Sequence, residues 1–196
     1  MMADFKYPKG AIPIDPDEAD GLLLTHITTR GELDRWEQDN IVEAIAWLDK
    51  TKPIDILNEQ FVKKMHKKMF CNVWKWAGCF RRIDKNIGGP WHQISINLKN
   101  LCDDGRLWIK LQEESPDVMA VRFHHRLVSI HPFPNGNGRH ARLMTDLLLK
   151  NILNCSRFTW GSADISKAGD VRKRYIAALQ AADEQNYKPL LEFVRT

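Results

Sequence analysis

No stretch of eighteen apolar residues occurs in the 196-residue chain, so nothing in it reads as a membrane-spanning helix. The opening, MMADFKYPKGAIPIDPDEADG, is polar and acidic without an apolar centre, so a secretory leader is not expected. Cysteine is sparse. Cys71, Cys79, Cys102 and Cys155 stand far apart with no CxxC pair, which argues against zinc-ribbon and thioredoxin-type chemistry. The expectation is four small core residues in a cytoplasmic protein with reduced thiols. Lys and Arg never run five together, and the net charge of +4 is spread along the chain. That balance does not by itself imply nucleic acid, and no direct nucleic-acid or membrane contact is expected. No internal repeat is visible, and no segment is poor enough in apolar residues to read as disordered.

What is present is mostly helical periodicity. Residues 1–31, rich in Pro, Asp and Gly, read as an irregular arm, and 32–196 as one helical domain. Glu32–Lys50 repeats apolar residues at helical spacing and is followed by Pro53, which ends a helix. Asn58–Phe70 has an apolar face of Phe61, Val62, Met65 and Met69 opposite a basic one. Further helices are expected over Leu98–Leu111, Pro116–Ile130, Arg139–Ile152, Ala168–Ala182 and Leu190–Val194. The stretch 76–96 breaks this pattern with Gly78, Gly88, Gly89 and Pro90, and reads as a small β-hairpin or turn-rich flap. The fold class is therefore mainly α.

One segment gathers chemistry: His131–Arg142, HPFPNGNGRHAR. Gly136-Asn137-Gly138 immediately precedes an apolar helix. Backbone N–H groups converging there, with the helix terminus behind them, make an anion site. Arg139 and Arg142 lie three apart on the first turn, where cations oppose the helix dipole unless an anion sits between them. His131, at the other end of the loop, has the side chain best suited to proton abstraction near neutral pH. A phosphate cradle beside a base is the skeleton of phosphoryl or nucleotidyl transfer. The Walker A pattern is absent. His124, His125, His131 and His140 lack HExxH spacing, so a zinc site is not expected.

The same segment resembles the Fic motif, HxFx(D/E)GNGRxxR. The resemblance extends to WAGCFRRIDKNIG before it, to FHHRLVSIHPF leading into it, and to the ending ALQAADEQNYKPLLEFVR. With LLLTHITTRGELDRWEQDNI included, the whole chain is most similar to the Fic subgroup called mobile mystery protein B. The resemblance implies a Fic-type helical domain and transfer of AMP from ATP to a Tyr, Thr or Ser hydroxyl of a target protein. It implies that His131 is the base and that Phe133 anchors the loop. Gly136, Asn137 and Gly138 would form the anion hole, with Arg139 and Arg142 on the β- and γ-phosphates. The flap residues Asp84, Lys85, Asn86, Ile87 and Gly88 would dock the target by strand addition. Ile87 would otherwise be a core residue. A small antitoxin or helix-turn-helix partner is a further implication.

The chain departs from the motif at Asn135, where the family has the acid that holds Mg²⁺. A carboxamide oxygen carries no charge, so Mg²⁺ binding through Asn135 is expected to be weak. Alternatives to AMP transfer are phosphate or phosphocholine transfer, and a non-catalytic binding module with a decayed site. The phosphorylating branch alters the second motif glycine, whereas Asn137 and Gly138 are intact here. Many relatives also carry an inhibitory pattern, (S/T)xxxE(G/N), whose acid pairs with the second motif arginine, here Arg142. Its degenerate counterpart is Pro16–Gly21, with Asp20 in the acidic position.

Overall fold

The computed structural model describes residues 20–27, 29–51, 55–162 and 169–196. Seven α-helices make up most of that length: α1 (Arg30–Asp49), α2 (Glu59–Phe70), α3 (Ile94–Leu111), α4 (Pro116–Ile130), α5 (Asn137–Asn151), α6 (Asp170–Asp183) and α7 (Lys188–Val194). Pro53, expected to end the first helix, lies outside the described residues.

The helix starts follow local chemistry. Thr29 and Glu32 form a reciprocal capping box that starts α1 two residues earlier than its apolar repeat suggested. Asn58 caps α2 through Phe61 N at 2.8 Å. Ser115 caps α4, with Pro116 in its first turn. The basic face of α2 is partly used as cover: Lys64 and Lys68 lie over the Trp47 ring, and Lys63 over Phe80.

Helix α4 packs between α3 and α5, α1 pairs with α2, and α6 pairs with α7. The main core joins α1, α2, α3 and the inner faces of α4 and α5 around Leu33, Met65, Leu98, Phe123 and Met144. A second core, with Phe158, Trp160, Tyr175, Leu190 and Phe193, seals the far side of α4 and α5 against α6 and α7. The last part of the arm joins the main core, because Leu22 and Ile27 are buried and Leu22 makes an isolated antiparallel bridge to Trp74.

Two expectations need correction. Among the described residues, 76–96 contains no hairpin. It runs through turns and bends to a short 3-10 turn at Trp91–Gln93, and α3 begins at Ile94. Glycines and an inward-pointing arginine, described below, set its path without cross-strand pairing. Nor are the cysteines uniformly core residues: Cys102 is buried, Cys71 and Cys155 are half-buried, and Cys79 is exposed.

The core encloses several histidines. His66, His124 and His140 are fully buried. Burial drives His124 down to about 3 and His140 to about 4, and pushes His66 well below the ordinary imidazole range. Each folded-state pKa thus lies below the unfolded value of about 6.5. On acidification the unfolded chain takes up protons first. Stability present above pH 6.5 is then lost below it, by about 1.4 kcal/mol per group per pH unit until that group's folded pKa is reached. The melting temperature should fall steeply from pH 6.5 to 4.5. A flat profile in thermal melts over that range would contradict neutral burial of these rings.

Candidate active site

The loop between α4 and α5 is built inward from its backbone. Phe133 is fully buried, which takes its N–H and C=O out of water as well. Asn137 answers both: its Oδ1 accepts from Phe133 N at 2.9 Å and its Nδ2 donates to Phe133 O at 2.8 Å. The Phe133 ring stacks on His66 with centroids 3.7 Å apart. His66 has a defined tautomer, since Nδ1 accepts from Gly78 N and Nε2 donates to the Asn135 carbonyl, both at 3.0 Å. Gly136 adopts φ +77° with the Phe70 ring under it, 2.6 Å from where a Cβ would stand. A side chain there would strike the ring.

Helix α5 begins at Asn137, so the Gly-Asn-Gly residues belong to its first turn and N-cap, and no side chain caps it. Its leading N–H groups at Asn137, Gly138 and Arg139 therefore form the anion-attracting end. Gly136 N is engaged otherwise, donating to Asn135 Oδ1 at 2.6 Å. Asn137 thus contributes its backbone to the cradle, while its side chain holds the loop. The Arg142 guanidinium reaches back along the same turn, with one terminal nitrogen 3.8 Å from the Cβ position of Gly138.

The two arginines have different surroundings. Arg139 is paired at 2.7 Å with Glu37 of α1, a carboxylate only 1% exposed. The other oxygen of Glu37 accepts from Trp74 Nε1 at 2.6 Å, and Phe70 lies under the guanidinium. The Arg142 guanidinium lies over the ring of Tyr175 in α6, 5.9 Å from its centroid, and burial lowers its pKa. Asp146, one turn further along α5, is raised to about 6 by burial, although Trp160 Nε1 donates to it at 3.1 Å.

His131 is the C-cap of α4 in left-handed conformation, φ +50°, which aims its side chain away from the helix path. Its ring is pushed down to about 4, chiefly by burial and then by the positive charges of Arg81 and Lys85. It is therefore neutral at physiological pH. Its Nδ1 is buried with no hydrogen-bond partner of good geometry.

Arg81 is almost fully buried. It donates to the His131 carbonyl at 2.7 Å and the Ile83 carbonyl at 2.8 Å, and also to the Gly89 carbonyl. Its backbone N–H meets the Pro132 carbonyl at 3.0 Å. One guanidinium thus closes the flap on itself and fastens it to the base. Gly88, φ +99°, fits against His131, where a Cβ would fall 2.6 Å from the histidine Cβ. Asp84 accepts from Trp91 N at 2.8 Å, and Ile87 is 61% exposed, so it is not a core residue.

The structure brings His131, the α5 N-terminus, Arg139, Arg142 and the flap to one end of the domain. Asp20 is exposed beside Gly21, whose carbonyl accepts from Lys75 N. Pro16–Ala19 lie outside the described residues. The acid on a motif arginine is instead Glu37. His124, His125 and His140 use ring nitrogens on Tyr175, Asp183 and Val62. Sequence reasoning missed Glu37, His66, Arg81 and Tyr175. A charged residue among the apolar positions of an amphipathic helix was the one available signal, and it applied to Glu37 alone.

Residues 56–149 match the family model of the Fic/DOC family. The protein adenylyltransferase Fic of Aedes aegypti is 26% identical over 144 residues, covering 71% of this chain and 27% of that protein. That of Drosophila melanogaster is 29% identical over 137 residues, covering 68% and 26%. The chain thus spans about a quarter of the length of these curated relatives. Among solved structures, the N-terminal Fic domain of a putative cell filamentation protein from Bartonella quintana aligns with TM-score 0.69 and 18% identity, covering 87% of this chain and 84% of that one. A second B. quintana Fic domain, with bound ADP, aligns with TM-score 0.63 and 19% identity, covering 87% and 86%. At such identities the likeness is one of fold.

Gly88→Ala should force His131 and the flap apart, combining a left-handed backbone with an overlap at the histidine Cβ. A loss on the order of 1–3 kcal/mol is expected in chemical denaturation. Gly89→Ala, where the nearest atom is 4.0 Å away, should be close to neutral. Equal losses would mean that Gly88 does not abut the base.

Proposed function

Because the chain belongs to the Fic/DOC family, we propose that it transfers a nucleotidyl group, AMP from ATP, to a hydroxyl side chain of a target protein. The carrying observation is a neutral, enclosed histidine at one end of a loop whose other end is an uncapped helix N-terminus with two arginines. The curated relatives named protein adenylyltransferase support the choice of group.

In this reading the α5 N-terminus receives the nucleotide phosphates. Arg139, held by Glu37, and Arg142, lying over the Tyr175 ring, orient the β- and γ-phosphates. The target hydroxyl loses its proton to His131 as its oxygen attacks the α-phosphorus. A new P–O bond forms, the bond to the bridging oxygen breaks, and pyrophosphate leaves. Since His131 Nδ1 is enclosed, Nε2 is the nitrogen that takes the proton. The target lies against the flap from Asp84 to Gly88, with exposed Ile87 as an apolar contact. Intact Asn137 and Gly138 support AMP transfer over phosphorylation, because the phosphorylating branch alters the second motif glycine. The protein target is a Tyr, Thr or Ser hydroxyl, and a small antitoxin-like partner fits the same family reading.

The donor set does not fit a protein-anchored Mg²⁺. Asn135 offers a neutral oxygen that already accepts from Gly136 N, and among the described residues no three His, Cys, Asp or Glu side chains form a metal cluster. Asn135→Asp should therefore increase Mg²⁺ dependence. A titration giving the same apparent Mg²⁺ affinity in both proteins would detach position 135 from the metal.

The test of the reaction is labelling with α- and γ-phosphate-labelled ATP. Protein-bound label from the α position alone means AMP transfer, label from γ alone means a kinase, and neither rejects both. His131→Ala should lower transfer by about 10²–10⁴-fold. The base works deprotonated, so with a pKa of about 4 kcat/KM should be level from pH 6 to 8, and any fall at lower pH should track the loss of folded protein rather than an ionisation near 6.5. A break near 6.5 would mean that His131 is not the base in its buried state.

A further inference from the structure

Helix α4 ends on a histidine where chains favour glycine. His131 takes φ +50° and ψ +59° at the C-cap, the left-handed region in which a Cβ is crowded. A residue other than glycine stays there only when its surroundings hold it. The His131 N–H holds it weakly, since it meets the Leu127 carbonyl at 3.4 Å. The last carbonyls of a helix also lack partners within it, and α4 carries no basic residue in its own last turn.

The flap supplies what the helix lacks. Arg81 turns one edge of its guanidinium to the end of α4, with Nε donating to the His131 carbonyl at 2.7 Å and Nη2 reaching the Ile130 carbonyl at 3.5 Å. Its backbone N–H donates to the next carbonyl, that of Pro132, at 3.0 Å. Three consecutive carbonyls at the turn thus receive donors from one residue. The same guanidinium holds the flap through the carbonyls of Ile83 and Gly89. The Asp84 carboxylate beside it stands off at 3.7 Å, is exposed, and accepts from Trp91 N. The buried cation is therefore matched mainly by carbonyl dipoles, among them the negative end of α4. Gly88 closes the contact, because a Cβ there would lie 2.6 Å from His131 Cβ and 3.0 Å from Arg81 Nη2. The phosphate loop is fastened separately, by Asn137 on Phe133 and by His66 on the Asn135 carbonyl.

We infer that Arg81 is a positioning residue for the base. It caps α4 from the flap and holds His131 in the left-handed turn that aims its imidazole. The surface that meets the target and the group that takes its proton are thereby set together. The inference rests on the proposed role of His131 as base, and the capping stands without it.

The experiment uses the full chain. In NMR of the native protein, the Arg81 Nε–H should exchange with water at least about tenfold more slowly than in free arginine. It should also show a coupling across the hydrogen bond to the His131 carbonyl carbon. Arg81→Met keeps a chain of similar reach without the donors. It should move the His131 φ couplings and imidazole shifts, and speed tryptic cutting after Arg82 and Lys85 by about tenfold. The Gly136 and Gly138 amides should stay in place, and isothermal titration should give an ATP affinity within about twofold of native, because the two anchors are independent. Transfer of α-phosphate label at saturating ATP should fall about 10²-fold, the weight of a reacting group displaced by about 1 Å. Arg81→Lys, which keeps the cation and loses the fork, should recover part of both the turn and the rate. A fast-exchanging Nε–H in the native protein, unchanged His131 couplings in Arg81→Met, or an ATP affinity that falls in step with transfer would each overturn the inference. If the native protein transfers no label, the base reading fails, while the exchange rate and couplings still decide what holds the turn.

Discussion

The pairing of the Asn137 carboxamide with both backbone groups of Phe133 is the condition on which the site depends. An irregular loop cannot enter a helical core with its peptide groups unanswered, since each orphaned donor or acceptor costs on the order of 1–3 kcal/mol. Asn137 imitates the missing backbone partner, so Phe133 can sink between His66 and Phe80. Once it does, the rest of the loop has little choice. Asn135 is drawn to His66, Gly136 is pressed to Phe70, and α5 starts where its N–H groups face outward. The motif asparagine is thus a structural residue whose result is an electrostatic site.

That site is not uniformly positive. One arginine is neutralised by a carboxylate drawn into the core by a tryptophan, and the other lies over a tyrosine ring with no carboxylate on it among the described residues. Removing Glu37 would strand a guanidinium in apolar surroundings, a disruption of about 3–5 kcal/mol for buried pairs in general. The first-turn cations that look wrong by the helix-dipole rule are tolerated because one has its counter-ion built in, and the other awaits a ligand.

Much of this could be read in the chain beforehand. The helices were visible because their apolar faces repeat at 3.6 residues, and α4 was placed to the residue because Pro116 sits at its start. The phosphate loop was visible because glycine and arginine types carry their chemistry locally. The flap was misjudged because its shape comes from Arg81 reaching carbonyls fifty residues away, a contact that leaves no periodic trace. Glu37 and Tyr175 were hidden for the same reason: each acts on the motif from a separate helix, and only packing brings it there. Ile87 needed the structure as well, since a lone isoleucine between bends has no pattern to say which way it faces.

Arg81 also has a bearing on the order in which the molecule is assembled. The flap is synthesised before α4, yet two of the carbonyls that receive its arginine, those of Ile130 and His131, exist in place only after α4 has formed and ended. Until then the segment has its bends and the local bonds of Arg81 and Asp84 but no tie to the motif loop, and closing a loop of that length carries an entropic cost. The flap is therefore among the last parts to take shape. Nascent or partly unfolded chains would present neither a target-binding surface nor a seated base, so competence arrives in a single late step rather than piecemeal.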